Sequence, residues 1–166
     1  GSPFSGVGSA SSLRLGRVLA YGSRSPWKAG GMDKLRILIV DDHAAVRERI
    51  RLLLDGQPDM EVVGEAAGGE EGVVRAVQLR PELVLFDIAM PGMNGIEATR
   101  QIKRVLPDAH VLAVTMYDDE EFYFALVRAG GSGYIRKDAE PEELLRAIRA
   151  VREGQVLRSP RCSRPS

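Results

Sequence analysis

Five short apolar runs, each followed by a stretch of helical character, alternate along the middle of the chain. That alternation restricts the fold more than any other feature of the sequence. The runs are Leu35 to Val40, Met60 to Ala66, Leu83 to Phe86, His110 to Val114 and Gly133 to Ile135. Several are rich in Val and Ile, and three are nearly continuous in apolar character, as strands covered on both faces must be. After the first run, Val46, Ile50, Leu53 and Leu54 share one face at helical spacing. After the fifth, Leu144, Leu145, Ile148 and Val151 do the same, with Pro141 near the first helical position. Five such units in 166 residues predict an α/β fold: an open, doubly wound, five-stranded parallel sheet with helices on both sides.

The flanks are of another character. Residues 1–31 are rich in Gly, Ser and Arg and show no periodicity, and they are read as a leader derived from expression or from a mis-extended start. Met32-Asp33-Lys34 reads as a natural beginning, so one domain is expected over 32–157. Residues 158–166 are polar and turn-forming, the start of an interdomain linker or tail. The formal charge is balanced, 23 basic against 23 acidic residues, but seven of the basic ones lie in the flanks and leave 16 against 23 in the middle. An acidic middle argues against a nucleic-acid surface there. The single cysteine, Cys162, has no partner in the chain, which fits a reducing, cytoplasmic setting. No apolar run approaches the roughly 20 residues of a membrane helix, so no membrane association is expected.

In sheets of this kind the working site lies beyond the carboxyl ends of the strands, where the strand order reverses. Asp41, Asp42 and His43 follow the first run, Asp87 the third, Thr115 the fourth, and the fifth leads through Arg136 to Lys137. Three carboxylates would thus converge with one hydroxyl and one ammonium. Carboxylates about 5 Å apart repel by roughly 3 kcal/mol per pair at an effective dielectric near 20. A hard divalent cation resolves this, and Mg2+ suits a site that must also receive phosphate. Asp87 would attack phosphorus and form an acyl phosphate, with Lys137 neutralising one phosphoryl oxygen and the Thr115 hydroxyl donating to another. Each residue taken alone has a plainer reading. Asp42 could cap the first helix, Asp87 could belong to the turn before Pro91-Gly92, and His43 could be a local cap or surface residue. Lys137 could be a solvated charge, and Thr115 a product of strand propensity. Their joint occurrence at four strand ends favours the site.

Four segments carry a family resemblance: Ile37 to His43, Leu85 to Gly95, Val114-Thr115, and Gly133 to Ala139. Together they resemble the response-regulator receiver family, with its CheY-like, flavodoxin-like (βα)5 fold and strand order 2-1-3-4-5. The resemblance implies Asp87 as phosphoacceptor and Asp41, Asp42, Asp87 and the backbone carbonyl of Ala89 as the Mg2+ site. It further implies Thr115 and Tyr134 as a switch pair, with the Tyr134 ring turned outward until phosphate arrives, and Lys137 as the active-site lysine. A sensor histidine kinase would be the donor and a homodimer a potential output form. The chain would catalyse only its own phosphorylation and dephosphorylation and would not be an enzyme acting on other molecules. Asp41-Asp42-His43 and Lys137-Asp138-Ala139 resemble the NarL/FixJ type, whose members usually carry a C-terminal helix-turn-helix. DNA binding is therefore expected only through a domain that this chain lacks, with transcription as the output. A stand-alone receiver acting through protein contacts remains the alternative. A haloacid-dehalogenase-type phosphatase would need a second Asp two residues after the nucleophile, where Ala89 stands. A dinucleotide-binding module would need a glycine-rich loop after Val40.

Overall fold

In a computed structural model, which describes residues 33–88, 94–116 and 119–157, the five apolar runs form one parallel sheet. The elements are β1 (Leu35–Val40), α1 (Ala44–Asp55), β2 (Met60–Ala66), α2 (Gly69–Leu79), β3 (Leu83–Asp87), α3 (Gly95–Val105), β4 (His110–Thr115), α4 (Glu120–Arg128), β5 (Tyr134–Arg136) and α5 (Pro141–Arg152). The strand order is β2-β1-β3-β4-β5 with every pair parallel; the alternation predicts the parallel pairing, and the family resemblance implies the order. The expected leader and tail, and Ala89, lie outside the described residues.

Alternate residues of β1 feed opposite faces. Ile37 and Ile39 join Ile50, Leu54, Leu85, Leu112 and Ile148 in a core beneath α1 and α5. Leu38 and Val40 join Val84, Phe86, Ala98 and Ile102 beneath α2 and α3. Each of these side chains larger than alanine contributes about 1.5–3 kcal/mol when fully covered, and two-sided coverage explains why the runs are apolar throughout rather than alternating. A third, smaller cluster of Ala113, Tyr123, Leu126 and Tyr134 lies under α4.

The helices start where local chemistry permits. Asn94 caps α3 by accepting from the Glu97 N–H at 2.8 Å, and Asp119 caps α4 by accepting from the Glu121 N–H at 3.0 Å. Pro141 opens α5, where Glu143 reaches back to accept from the Glu140 N–H at 3.1 Å. At the opposite end of the sheet from the strand termini, Arg149 of α5 grips both Asp59 oxygens at 3.0 and 2.9 Å and donates to Gln57 at 2.9 Å. This fixes α5 to the turn between α1 and β2. The guanidinium beside Asp59 holds its carboxyl below the usual range.

Three strands differ at their ends from the sequence reading, and the differences at β3 and β4 matter for the site. β3 and β4 each run one residue further, because Asp87 pairs with Val114 and Thr115 with Arg136 in the parallel ladders. Both residues are thereby fixed by sheet hydrogen bonding rather than carried on loops. β5 begins at Tyr134, because Gly133 adopts φ +117 and instead bridges Leu157, where the chain returns after α5. Among the described residues no helix is long and apolar enough to cross a membrane.

Candidate functional site

The carboxyl ends of β1 and β3, adjacent at the reversal of strand order, carry the acidic residues. Asp41 follows β1 directly and is buried. Its N–H donates to the Ala66 carbonyl at 3.0 Å, and its Oδ1 accepts from the His43 N–H at 2.7 Å. Asp87 ends β3 with its side chain only 1% exposed. Lys137, one residue past β5, places its Nζ 3.0 Å from Asp87 Oδ2 and 3.3 Å from Asp41 Oδ2. Its own N–H donates to the Thr115 carbonyl at 2.7 Å, so the end of β4 sets where the lysine stem begins. Burial pulls the Lys137 ammonium down in pKa, but the hydrogen bond and charge of Asp87, followed by those of Asp41, outweigh it and leave the group above its ordinary value. The ammonium is thus firmly protonated between two buried carboxylates.

Asp42 stands further out. It does not cap α1, since the N-cap position is His43. His43 plays a larger part than the sequence reading gave it. Its ring is 64% exposed but leans over the acids, with Nδ1 3.2 Å from Asp41 Oδ1 and 3.1 Å from Asp42 Oδ1. Asp41, Asp42, His43 and Asp87 each offer one ligand atom within 4.8 Å of the others. Among the described residues, these are the ones that could hold a metal ion.

Thr115 is fully buried at the end of β4. Tyr134, also buried at 1% exposure, is inside rather than turned outward as the sequence reading has it. The reason is local packing. The small Ala113 leaves room beside β4, and the ring fills it against Leu126 and Tyr123, whose centroid is 5.9 Å away. Arg136 ties this edge together, donating to the Met116 carbonyl at 2.9 Å and to both oxygens of Asp138 at 3.0 and 2.9 Å. The structure therefore gathers Asp41, Asp42, Asp87 and Lys137 at one point, with Thr115 at the adjoining strand end.

Two residues that sequence reading missed frame the site. Arg47 of α1 donates to the Asp41 carbonyl at 2.6 Å and to Glu65 of β2 at 3.1 Å. The only hint in the sequence is that Arg47 lies one helical turn after His43, on the side where Val46 and Ile50 turn inward.

Residues 37–149 match the sequence model of the family described as response regulator receiver domain. The chain is 42% identical over 125 residues to the uncharacterized transcriptional regulatory protein YxjL of Bacillus subtilis, covering 75% of this chain and 57% of that protein. It is 42% identical over 128 residues to the oxygen regulatory protein NreC of Staphylococcus carnosus, covering 76% and 59%. The chain thus spans less than two thirds of the length of these relatives. Among solved structures it is similar to a LuxR-family two-component response regulator from Aurantimonas, with TM-score 0.73, 39% identity and coverage of 77% of this chain and 91% of that one. It is also similar to the receiver domain of the response regulator NarL from Mycobacterium tuberculosis, with TM-score 0.70, 27% identity and coverage of 74% and 99%.

Proposed function

The chain belongs to the response regulator receiver family, and on that premise we propose that Asp87 takes a phosphoryl group from a sensor histidine kinase. The observation that carries the proposal is the contact of Lys137 Nζ with Asp87 at 3.0 Å inside a cluster of three carboxylates. One ammonium does not balance three acids. The remaining oxygen donors are hard ligands that suit Mg2+, with Asp41, Asp42 and Asp87 as the side chains that would hold it. Ala89, whose carbonyl the family resemblance adds to this set, lies outside the described residues. When bound, Mg2+ supplies positive charge that offsets the repulsion between the carboxylates and the incoming phosphoryl oxygens.

The chain's own residues do the rest. A carboxylate oxygen of Asp87 forms the new bond to phosphorus as the bond to the donor's imidazole nitrogen breaks, giving an acyl phosphate and a neutral donor histidine after proton uptake. Lys137 is already in place to hold an oxygen of Asp87 and to neutralise charge on the phosphoryl group. The Thr115 hydroxyl donates to a second phosphoryl oxygen. Because the acceptor is the protein's own side chain, phosphorylation and dephosphorylation are self-catalysed and no separate substrate is turned over.

The output proposed is control of transcription, through a DNA-binding domain beyond this receiver, in the cytoplasm and with dimerisation as one route. The support is that curated relatives of greater length are named transcriptional regulators. The test of the chemistry uses acetyl phosphate. With Mg2+ the intact mass should rise by one phosphoryl group, whereas EDTA or Asp87→Asn should prevent the gain. Equal labelling in EDTA would refute the metal's part, and undiminished labelling of Asp87→Asn would refute the acceptor.

A further inference from the structure

We infer that Arg47 and Glu65 form a strut that positions Asp41, and that the strut exists because of an irregularity in β2. The inference rests on the proposed role of Asp41 at a Mg2+ site.

The register between β1 and β2 shifts midway: Ile37 pairs with Val62, but Leu38 pairs with Gly64, leaving Val63 as an extra residue. Met60 and Val62 face the core beneath α1 and α5. Past the bulge the faces exchange. Gly64 lies against Leu38 and Leu79, and Ala66 enters the core beneath α2 and α3. Glu65 is thereby turned to the α1 side, where a regular strand would have placed Gly64. Bulges next to functional sites commonly re-aim a side chain in this way.

There Glu65 meets two arginines of α1, with Arg47 Nε 3.1 Å from one oxygen and Arg51 Nε 2.9 Å from the other. Only Arg47 goes on to the site, where its Nη1 donates to the Asp41 carbonyl at 2.6 Å. The Asp41 N–H is already held by Ala66 at 3.0 Å. Both backbone polar groups of Asp41 are thus fixed from β2, one directly and one through Arg47. The side chain that faces Asp87 and Lys137 starts from a backbone held at both of its polar groups. Arg47 touches no reacting atom and is a positioning residue, of the kind whose loss typically weakens a metal site about 10- to 100-fold.

The sign of the effect separates positioning from charge. Removing a cation near an acidic cluster should, by electrostatics alone, tighten Mg2+ binding. Loss of positioning should weaken it. Mg2+ titrations of the full chain followed by amide NMR shifts would therefore compare wild type with Arg47→Ala, Arg47→Lys and Arg51→Ala. The Mg2+ Kd of Arg47→Ala should rise roughly 10- to 100-fold, and that of Arg51→Ala should stay near wild type. Arg47→Lys keeps the charge but reaches one of the two oxygens at a time, and should recover part of the loss. In metal-free protein the His43 amide, which Asp41 accepts, should exchange faster with solvent in Arg47→Ala. Unchanged or tighter Mg2+ binding by Arg47→Ala, or an equal loss in Arg51→Ala, would overturn the strut. Should Arg47→Ala not fold, Arg47→Lys decides alone: weaker binding than wild type supports the strut, and equal binding removes it. A wild type that binds no Mg2+ would bring down the proposed function and the strut together, whereas a wild type that binds and variants that match it would remove the strut only.

Discussion

At the scale of single residues, the site is a problem in charge that Lys137 only half solves. Its Nζ lies between Asp41 and Asp87, both nearly fully buried, and a hydrogen bond to a charged partner contributes roughly 1.5–3 kcal/mol. Lys137→Met should therefore destabilise the fold by about 2 kcal/mol near neutrality. The pH dependence follows from the raised pKa of the lysine. A cation bound more tightly to its proton in the folded state contributes fully below the unfolded value of about 10.4, and the contribution fades as pH climbs through the higher folded value. The stability gap between wild type and Lys137→Met, measured by urea unfolding, should stay level from about pH 7 to 10 and narrow above. A gap that widens with rising pH would contradict the assignment. The identity of these residues was legible in the sequence, because Asp41, Asp42, Asp87, Thr115 and Lys137 each stand at a strand end. The reach of His43 was not. A histidine after two aspartates reads as a helix start, which it is, and only the extended backbone at the N-cap swings its ring back over the acids.

At the scale of elements, the alternation of runs and helical patterns sufficed for five strands and five helices, but not for the finer events along them. The bulge in β2 is hidden because Met60, Val62, Gly64 and Ala66 keep an unbroken period of two. Nothing in that pattern says that Val62 and Gly64 face opposite ways. The inward Tyr134 ring was equally illegible, since a rotamer depends on the space that Ala113, Leu126 and Tyr123 leave together. The returning chain after α5 was missed for a different reason: Gln155-Val156-Leu157 carries no strand signal of its own length. It docks on β5 through Leu157, whose N–H donates to the Ser132 carbonyl at 2.8 Å and whose carbonyl accepts from the Tyr134 N–H at 3.3 Å. Gly133 permits this, since a Cβ there would overlap the Leu157 carbonyl and its φ of +117 disfavours any other residue. Gly133→Ala should cost about 1–3 kcal/mol and release the segment. Hydrogen exchange should show the Leu157 and Tyr134 amides losing protection together, while β1 and β3 keep theirs. Unchanged protection at Leu157 would show that the bridge does not hold the segment.

At the scale of the whole molecule, the doubly wound order puts β1 and β3 side by side and so brings Asp41 and Asp87 together, while β4, the other neighbour of β3, ends in Thr115 beside the site and β5 places Tyr134 in the cluster under α4. Phosphate on Asp87 would give the Thr115 hydroxyl a charged acceptor, and a hydrogen bond of roughly 1.5–3 kcal/mol shifts an equilibrium about ten- to a hundredfold. With the ring of Tyr134 already inside, that shift would stabilise an arrangement the fold can adopt and would not create a new one. Thr115→Ala should still be phosphorylated, yet on adding beryllofluoride its amide shifts across α4, β5 and α5 should be smaller than those of wild type. Equal shifts would mean that coupling runs through other residues. All of this depends on where the phosphoryl group sits, and one measurement reads that directly. Borohydride reduces an acyl phosphate, but not a phosphoserine or a free carboxylate, to the alcohol. Phosphorylated protein treated with borohydride and sequenced by mass spectrometry should therefore show homoserine in place of Asp87, only in samples that received phosphodonor and Mg2+. Homoserine at another aspartate, or a phosphoryl group that survives on a serine or histidine while residue 87 remains aspartate, would contradict the account.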